Sequence, residues 1–418
     1  MNSSVSTKES LTQQLSAHLM RPIDDATRQR ARYHLLDWLG CVAGAIKSEA
    51  AGRYLKHMDQ PESWLGNILE MDDVHRSAIL HPGPVIWPSA LKHERDLEKA
   101  LNSAIIGYEA MICVGATFDS HHYSHYHPTA TAGFFGAAAT HIHRHLGQDI
   151  ALVDDYASAM GLAGTVSGGL WQTRHENDDA KQFHVAHAIE TGERISAYIA
   201  GKVKGSRFIL EGPQGLYAAT CNNTNPMRLD DQWRIHEVSF KPWGACRHAH
   251  PAIDAALELK RKTGKLTGEI RVESYADAII FCDRPDPQTV LDAKFSLQHA
   301  LAVVAERGVP TLSDFEPDAI KQLASARTRV KVSEASDITS RYPQHYGARI
   351  TCDGETYELA DTLGDPERSM SEDQIIDKAR QLIAWGGLAD KEADRAIDLA
   401  LKSDDSTAIQ TMLKEWLS

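Results

Sequence analysis

Four short segments concentrate side chains able to move protons or hold anions. The first spans 67–91, NILEMDDVHRSAILHPGPVIWPSAL, where Glu70, Asp72, Asp73, His75, Arg76 and His81 crowd together before a Pro-Gly-Pro run that breaks any helix. Acidic residues gathered near a helix N-terminus, favoured by its dipole, account for this pattern as well as a catalytic cluster does. The second, 121–139, brings His121, His122, His125 and His127 just ahead of a small-residue helix. His121 and His125 have the i, i+4 spacing of a helical metal pair, but the helix is predicted to begin only near Thr129 and no glutamate completes an H-E-x-x-H pattern. The metal reading is therefore the weaker one, and a single histidine at a helix entrance, His127, suits acid–base work or anion binding.

The third segment, 175–192, places Lys181, His184 and His187 at a helix start. A lysine beside apolar helices can clamp a carboxylate, or act as a base if burial lowers its pKa. Asp178 and Asp179 read as a solvated turn. The fourth, 239–257, holds Lys241, Arg247, His248 and His250 immediately before a helix beginning at Pro251. Cationic side chains there make a carboxylate-binding edge. Cys246 reads as a packing residue, because no separate base and orienting partner accompany it.

Helices must position most of these groups. Leu11, Leu15 and Leu19 recur at helical spacing, as do Leu35, Trp38, Leu39 and Val42. The stretches 133–140 and 161–170 are rich in Gly and Ala, which lets helices approach closely. The texture changes near residue 238. Segments 269–274 and 328–333 alternate like half-buried strands. Residues 348–360 form a hairpin candidate with Asp353-Gly354 at the turn. From Ser371 a capping box with Gln374 opens a helix bearing Ile375, Ile376, Ala379, Leu382 and Ile383, and further helical stretches close the chain. The predicted architecture is mainly α: a large all-helical domain from 1–238 and 371–418, and a smaller inserted α+β lid domain over 239–370. Clefts between domains are common ligand sites.

Composition narrows the function. The chain has 418 residues, long enough for two domains, and a formal net charge of −13, which argues against nucleic acid without excluding an anionic substrate. No apolar run reaches the roughly 18 residues needed to span a membrane. The opening MNSSVSTKES lacks the basic start and apolar stretch of a secretory signal, and the six cysteines are scattered with no C-x-x-C pair, so a reducing cytoplasm is expected. There is no G-x-G-x-x-G after a strand, no P-loop and no G-x-S-x-G elbow, which disfavours hydride transfer and serine hydrolysis.

These segments together resemble the MmgE/PrpD family, which includes 2-methylcitrate dehydratase, cis-aconitate decarboxylase and iminodisuccinate epimerase. The family's L-D-F-D-D-T-H pattern followed by H-P-G stands here as Leu69-Glu70-Met71-Asp72-Asp73-Val74-His75 with His81-Pro82-Gly83. An H-P-T motif is matched by His127-Pro128-Thr129, A-K-x-x-H by Ala180-Lys181 through His184, and I-L-E-G-x-x-G by Ile209-Leu210-Glu211-Gly212 through Gly215. The K-P-x-x-x-C-R-H-x-H-P motif corresponds to Lys241-Pro242 through Cys246-Arg247-His248 and His250-Pro251, and K-F-S-x-x-x-A to Lys294-Phe295-Ser296 through Ala300. Glu70 stands where the family usually has Asp, Val74 where it usually has Thr, and His299 where relatives often carry an aromatic residue. The stretch between the second helix and Glu70 is short.

The resemblance implies a homodimer that uses neither metal nor organic cofactor, and a proton moved at carbon beside a carboxylate of a small di- or tricarboxylic acid. On that reading His81 and His127 flank the reacting carbon and share acid–base duty. Lys181, Arg247 and His248 bind carboxylates, and Asp72 or Asp73 orients a histidine or binds a hydroxyl. Glu70, His184 and His250 complete the substrate-binding set. Loss of water or carbon dioxide would make a lyase, the expected outcome, and reprotonation on the other face an epimerase. A non-catalytic carboxylate-binding homologue is the rival from another class.

Overall fold

The computed structural model describes residues 9–146, 152–176 and 178–418; most of the amino-terminal stretch read for a secretory signal lies outside them. The fold is mainly α with one small four-stranded mixed sheet. The chain divides into two compact units. The first comprises residues up to Ile68, Asp73–Val238 and Ile375–Ser418, and the second Leu69–Asp72 and Ser239–Gln374.

In the first unit, α1 (Leu11–Leu19) starts at a Ser10–Gln13 capping box and buries Leu15 and Leu19. The Asp24 side chain caps α2 (Asp25–Ala45) by accepting the Thr27 N–H at 2.7 Å, and Leu35, Trp38, Leu39 and Val42 face inward, as their spacing predicts. The helices α3 (Gly83–Leu91), α4 (Leu97–Gly115), α5 (Pro128–Leu146), α6 (Val153–Val166) and α7 (Ala180–Ala200) follow. Their centre is α5, packed against α3, α4, α6 and α7. Small residues make this possible: a Cβ on Gly136 would lie 2.7 Å from that of Met111 on α4. The Gly/Ala-rich stretch 161–170 departs from its expected helical form. Helix α6 stops at Val166, where Ser167 turns extended with ψ 134°, and Gly169 at φ 103° then brings its carbonyl to the His127 N–H before α5. A short extra helix, Ser120–His125, also precedes α5. Toward the C-terminus the helix Glu372–Trp385, whose residues from Ile375 on belong to this unit, begins at the expected box, with the Ser371 N–H donating to Gln374 Oε1 at 2.9 Å. Its Lys378 forms a buried ion pair with Asp37 of α2 at 2.5 Å.

The second unit is built on the sheet, in the order β2-β1-β3-β4. Strand β1 (Ile270–Ser274) runs parallel to β2 (Val330–Glu334) and antiparallel to β3 (Ala348–Cys352), which forms a hairpin with β4 (Glu355–Leu359). The hairpin turn is Asp353-Gly354 at φ 53° and 82°, the left-handed pair that the dipeptide predicts. Ala252, Ile253, Ala256 and Leu259 of α8 (His250–Thr263) join Leu301 of α9 (Leu297–Arg307) and Ile270, Val272 and Ile350 of the sheet in one apolar core. Among the described residues no helix is long and apolar enough to cross a membrane.

Candidate functional site

Asp73 and His81 lie eight residues apart in a loop that closes on itself. His75 and Leu80 pair as an isolated bridge, with the His75 N–H donating to the Leu80 carbonyl at 2.8 Å. His75 Nδ1 accepts the Ala78 N–H at 3.2 Å, so the neutral ring carries its proton on Nε2 and donates to Glu237 at 3.2 Å. Burial lowers the His75 pKa and keeps it neutral. The buried Asp73 carboxylate accepts the Gly83 N–H at 2.8 Å, the Tyr108 hydroxyl at 2.6 Å and His34 Nδ1–H at 2.8 Å. Gly83 is required for the first of these, because a Cβ there would sit 2.7 Å from Asp73 Oδ1. Burial holds the Tyr108 phenol protonated and pushes the His34 pKa down to about 4, so both act as donors. The Asp73 side chain thus anchors the N-terminus of α3, which follows His81-Pro82.

This anchoring fixes His81. Its Nδ1 lies 3.0 Å from the Asp73 carbonyl, which can only accept, so Nδ1 carries the proton and the basic lone pair is on Nε2. The His81 backbone N–H donates to Thr129 Oγ at 3.0 Å. Thr129 lies in the first turn of α5, two residues after His127, so the loop is pinned to the helix that His127 precedes. The His127 N–H donates to the Gly169 carbonyl at 2.8 Å, and its buried ring packs on Trp171 with centroids 4.3 Å apart. Its Nδ1 lies 3.2 Å from Nδ1 of His184 on α7, so the two rings share one proton between those nitrogens. Burial lowers the His184 pKa. Lys181 stands one turn before His184, on the same face of α7. The first unit therefore brings His127 and His184 into contact, carries Lys181 one turn before His184, and ties His81 to the same helix start.

The second unit holds the other predicted residues. The acidic motif is divided at the Asp72–Asp73 peptide bond: Glu70 and Asp72, both buried, belong here. Glu70 has φ 56°, unusual for a residue with a side chain, and accepts from the buried Lys241 at 3.4 Å. Lys294 donates to the Leu69 carbonyl at 3.0 Å, which holds this short segment. Arg247 pairs with buried Asp365, and His248 Nδ1 lies 2.8 Å from the Tyr275 hydroxyl. His250 is fully buried, with Nε2–H donated to the Ala245 carbonyl at 3.1 Å, a bond that closes the turn into α8. Cys246 is buried.

Sequence reading did not assign His34, Tyr108, Thr129, Trp171 or Tyr275. Each lies outside the dense segments or carries no unusual type, so only its spatial partner marks it. His121 and His125 sit on the short helix with ring centroids 4.6 Å apart. Groups with metal-ligand geometry among the described residues lie elsewhere: His18, Glu109 and Cys113, and His345, Asp361 and Glu367. In the first of these Glu109 already accepts from Arg21 at 2.9 Å and from the Arg234 N–H at 2.7 Å, which disfavours a cation.

Two family comparisons match. The MmgE/PrpD N-terminal domain matches residues 62–228 and the MmgE/PrpD C-terminal domain residues 243–405. No match was found among curated proteins.

Proposed function

Because this chain belongs to the MmgE/PrpD family, whose members are generally lyases of the dehydratase type, we propose that it is a lyase acting on a small di- or tricarboxylic acid by proton transfer at carbon next to a carboxylate. The observation that carries this reading is His81, locked as the Nδ1–H tautomer by the Asp73 carbonyl and tied to the start of α5. A carbon acid beside a carboxylate is weak, so the enzyme must hold a base close to it and offset the charge that develops. His81 Nε2 takes the proton. The C–H electron pair moves into the neighbouring carboxylate as an enolate; it then returns to form the carbon–carbon double bond as the bond to a β-hydroxyl breaks, and the departing oxygen takes a proton and leaves as water. His127, accepting the His184 Nδ1–H at its own Nδ1, keeps its proton on Nε2 and serves as the partner acid. Lys181 binds the carboxylate that becomes enolic. Arg247 and His248 are proposed as further carboxylate ligands on the strength of their motif, with Glu70 and Asp72 acting through the same segment.

Asp73 and His250 are read as scaffold, since protein donors and acceptors already engage their side chains. Two histidines tied to one helix start would equally support reprotonation on the opposite face, the epimerase reading. Exposed apolar side chains at Val166, Leu170, Phe183, Tyr198 and Val203 of the first unit support a homodimer, which a monomer mass in light scattering would count against.

Incubation in D₂O with a panel of di- and tricarboxylic acids tests the function. Deuterium should enter a carbon next to a carboxylate of at least one acid. Tight binding of an acid with no exchange in any of them would favour the binding-protein reading instead.

A further inference from the structure

Within the second unit the His248 imidazole is clamped by aromatic rings. Phe281 lies parallel to it at a centroid distance of 4.8 Å and 13°, and Tyr346 at 5.5 Å and 7°. The ring cannot swivel without displacing one of them. In its own plane, Nδ1 meets the Tyr275 hydroxyl at 2.8 Å. Tyr275 is fully buried, and burial raises its pKa well above the usual phenol value, so the hydroxyl keeps its proton. His248 Nδ1 is that hydroxyl's hydrogen-bond partner among the described residues, and no other is present there.

Two arrangements of the protons are possible. If Nδ1–H donated to the phenol oxygen, the phenol proton would be left without a protein acceptor in a fully buried position, which is the costly outcome. If the phenol donates to Nδ1, both groups are satisfied and the neutral imidazole carries its proton on Nε2. We propose that Tyr275 is a positioning residue that fixes His248 as the Nε2–H tautomer, so that His248 meets the substrate as a donor to an anionic or departing oxygen and not as a base. The part of this that concerns substrate rests on the lyase reading above; the tautomer does not. His81, with its proton on Nδ1, is set the opposite way.

Long-range ¹H–¹⁵N correlation on the full-length protein with ¹⁵N-histidine reads the tautomer without any substrate. The His248 signals, assigned by their loss in His248→Gln, should show an unprotonated Nδ1 and a protonated Nε2 near neutral pH. In Tyr275→Phe the two nitrogens should move toward a tautomer average. A protonated Nδ1 in the wild-type protein, or a spectrum unchanged by Tyr275→Phe, overturns the proposal. If Tyr275→Phe does not fold, the wild-type spectrum alone decides. With any acid found to react, Tyr275→Phe should lower kcat about tenfold with little change in KM, as loss of one hydrogen bond to a working group would; an unchanged kcat also overturns it. Should no acid react, the lyase reading fails while the nitrogen spectrum still decides the role of Tyr275.

Discussion

His81 in the first unit and His248 in the second are both held through Nδ1, but by groups of opposite character. A backbone carbonyl, which can only accept, holds His81, and a buried phenol with its proton to give holds His248. In the proposed mechanism the same side chain is thereby prepared as a base in one unit and as a donor in the other. Its own sequence neighbours do not decide which; the atom facing Nδ1 does. The supports differ in kind as well. His81 depends on a polar network built around the Asp73 carboxylate, whereas His248 depends on stacked aromatic rings.

Replacing each histidine tests the division of labour. His81→Ala should lower deuterium exchange by about 10²- to 10⁴-fold, the range expected for removal of a general base, with the circular dichroism spectrum unchanged. His248→Gln keeps an N–H donor and should slow product formation more than exchange. Equal loss of exchange in both variants would erase the distinction.

The supports can be broken next. Asp73→Ala leaves the Gly83 N–H, the Tyr108 hydroxyl and the His34 Nδ1–H without their acceptor, and should destabilise the protein by about 3 kcal/mol in urea titration. A loss below about 1 kcal/mol would mean that these donors find other partners.

Acid should also weaken the first unit. Burial lowers the pKa of His34, His122 and His143 to about 4 and that of His141 to about 3, all in the first unit. The unfolded chain takes up protons on these rings as pH falls through about 6.5, and the folded chain does not until about 4. Stability present above pH 6.5 should therefore decline between about 6.5 and 4, seen as a falling urea midpoint. A midpoint flat over that window would contradict the neutral burial of these rings.

Much of the plan was legible in the sequence because it rests on local signals. The helix at 25–45, the Ser371–Gln374 box and the Asp353-Gly354 hairpin each need only residues close in the chain. The ordered motifs marked the family for the same reason. The exceptions are equally physical. The helical reading of 161–170 held only as far as Val166, because composition cannot show that the Gly169 carbonyl must reach the His127 N–H. His34 lies far from the acidic motif in sequence, and Tyr275 follows a strand in an unremarkable stretch, so neither declared its partner.

By itself the sequence determined which side chains are available for proton transfer and anion binding, and which elements carry them, since periodicity, capping and turn chemistry are short-range. Only the tertiary structure decided what each ionisable group faces. Asp73 meets three donors, His127 meets His184, and the Nδ1 atoms of His81 and His248 meet a carbonyl and a phenol. Protonation follows from the partner and the burial, and both are properties of the folded chain.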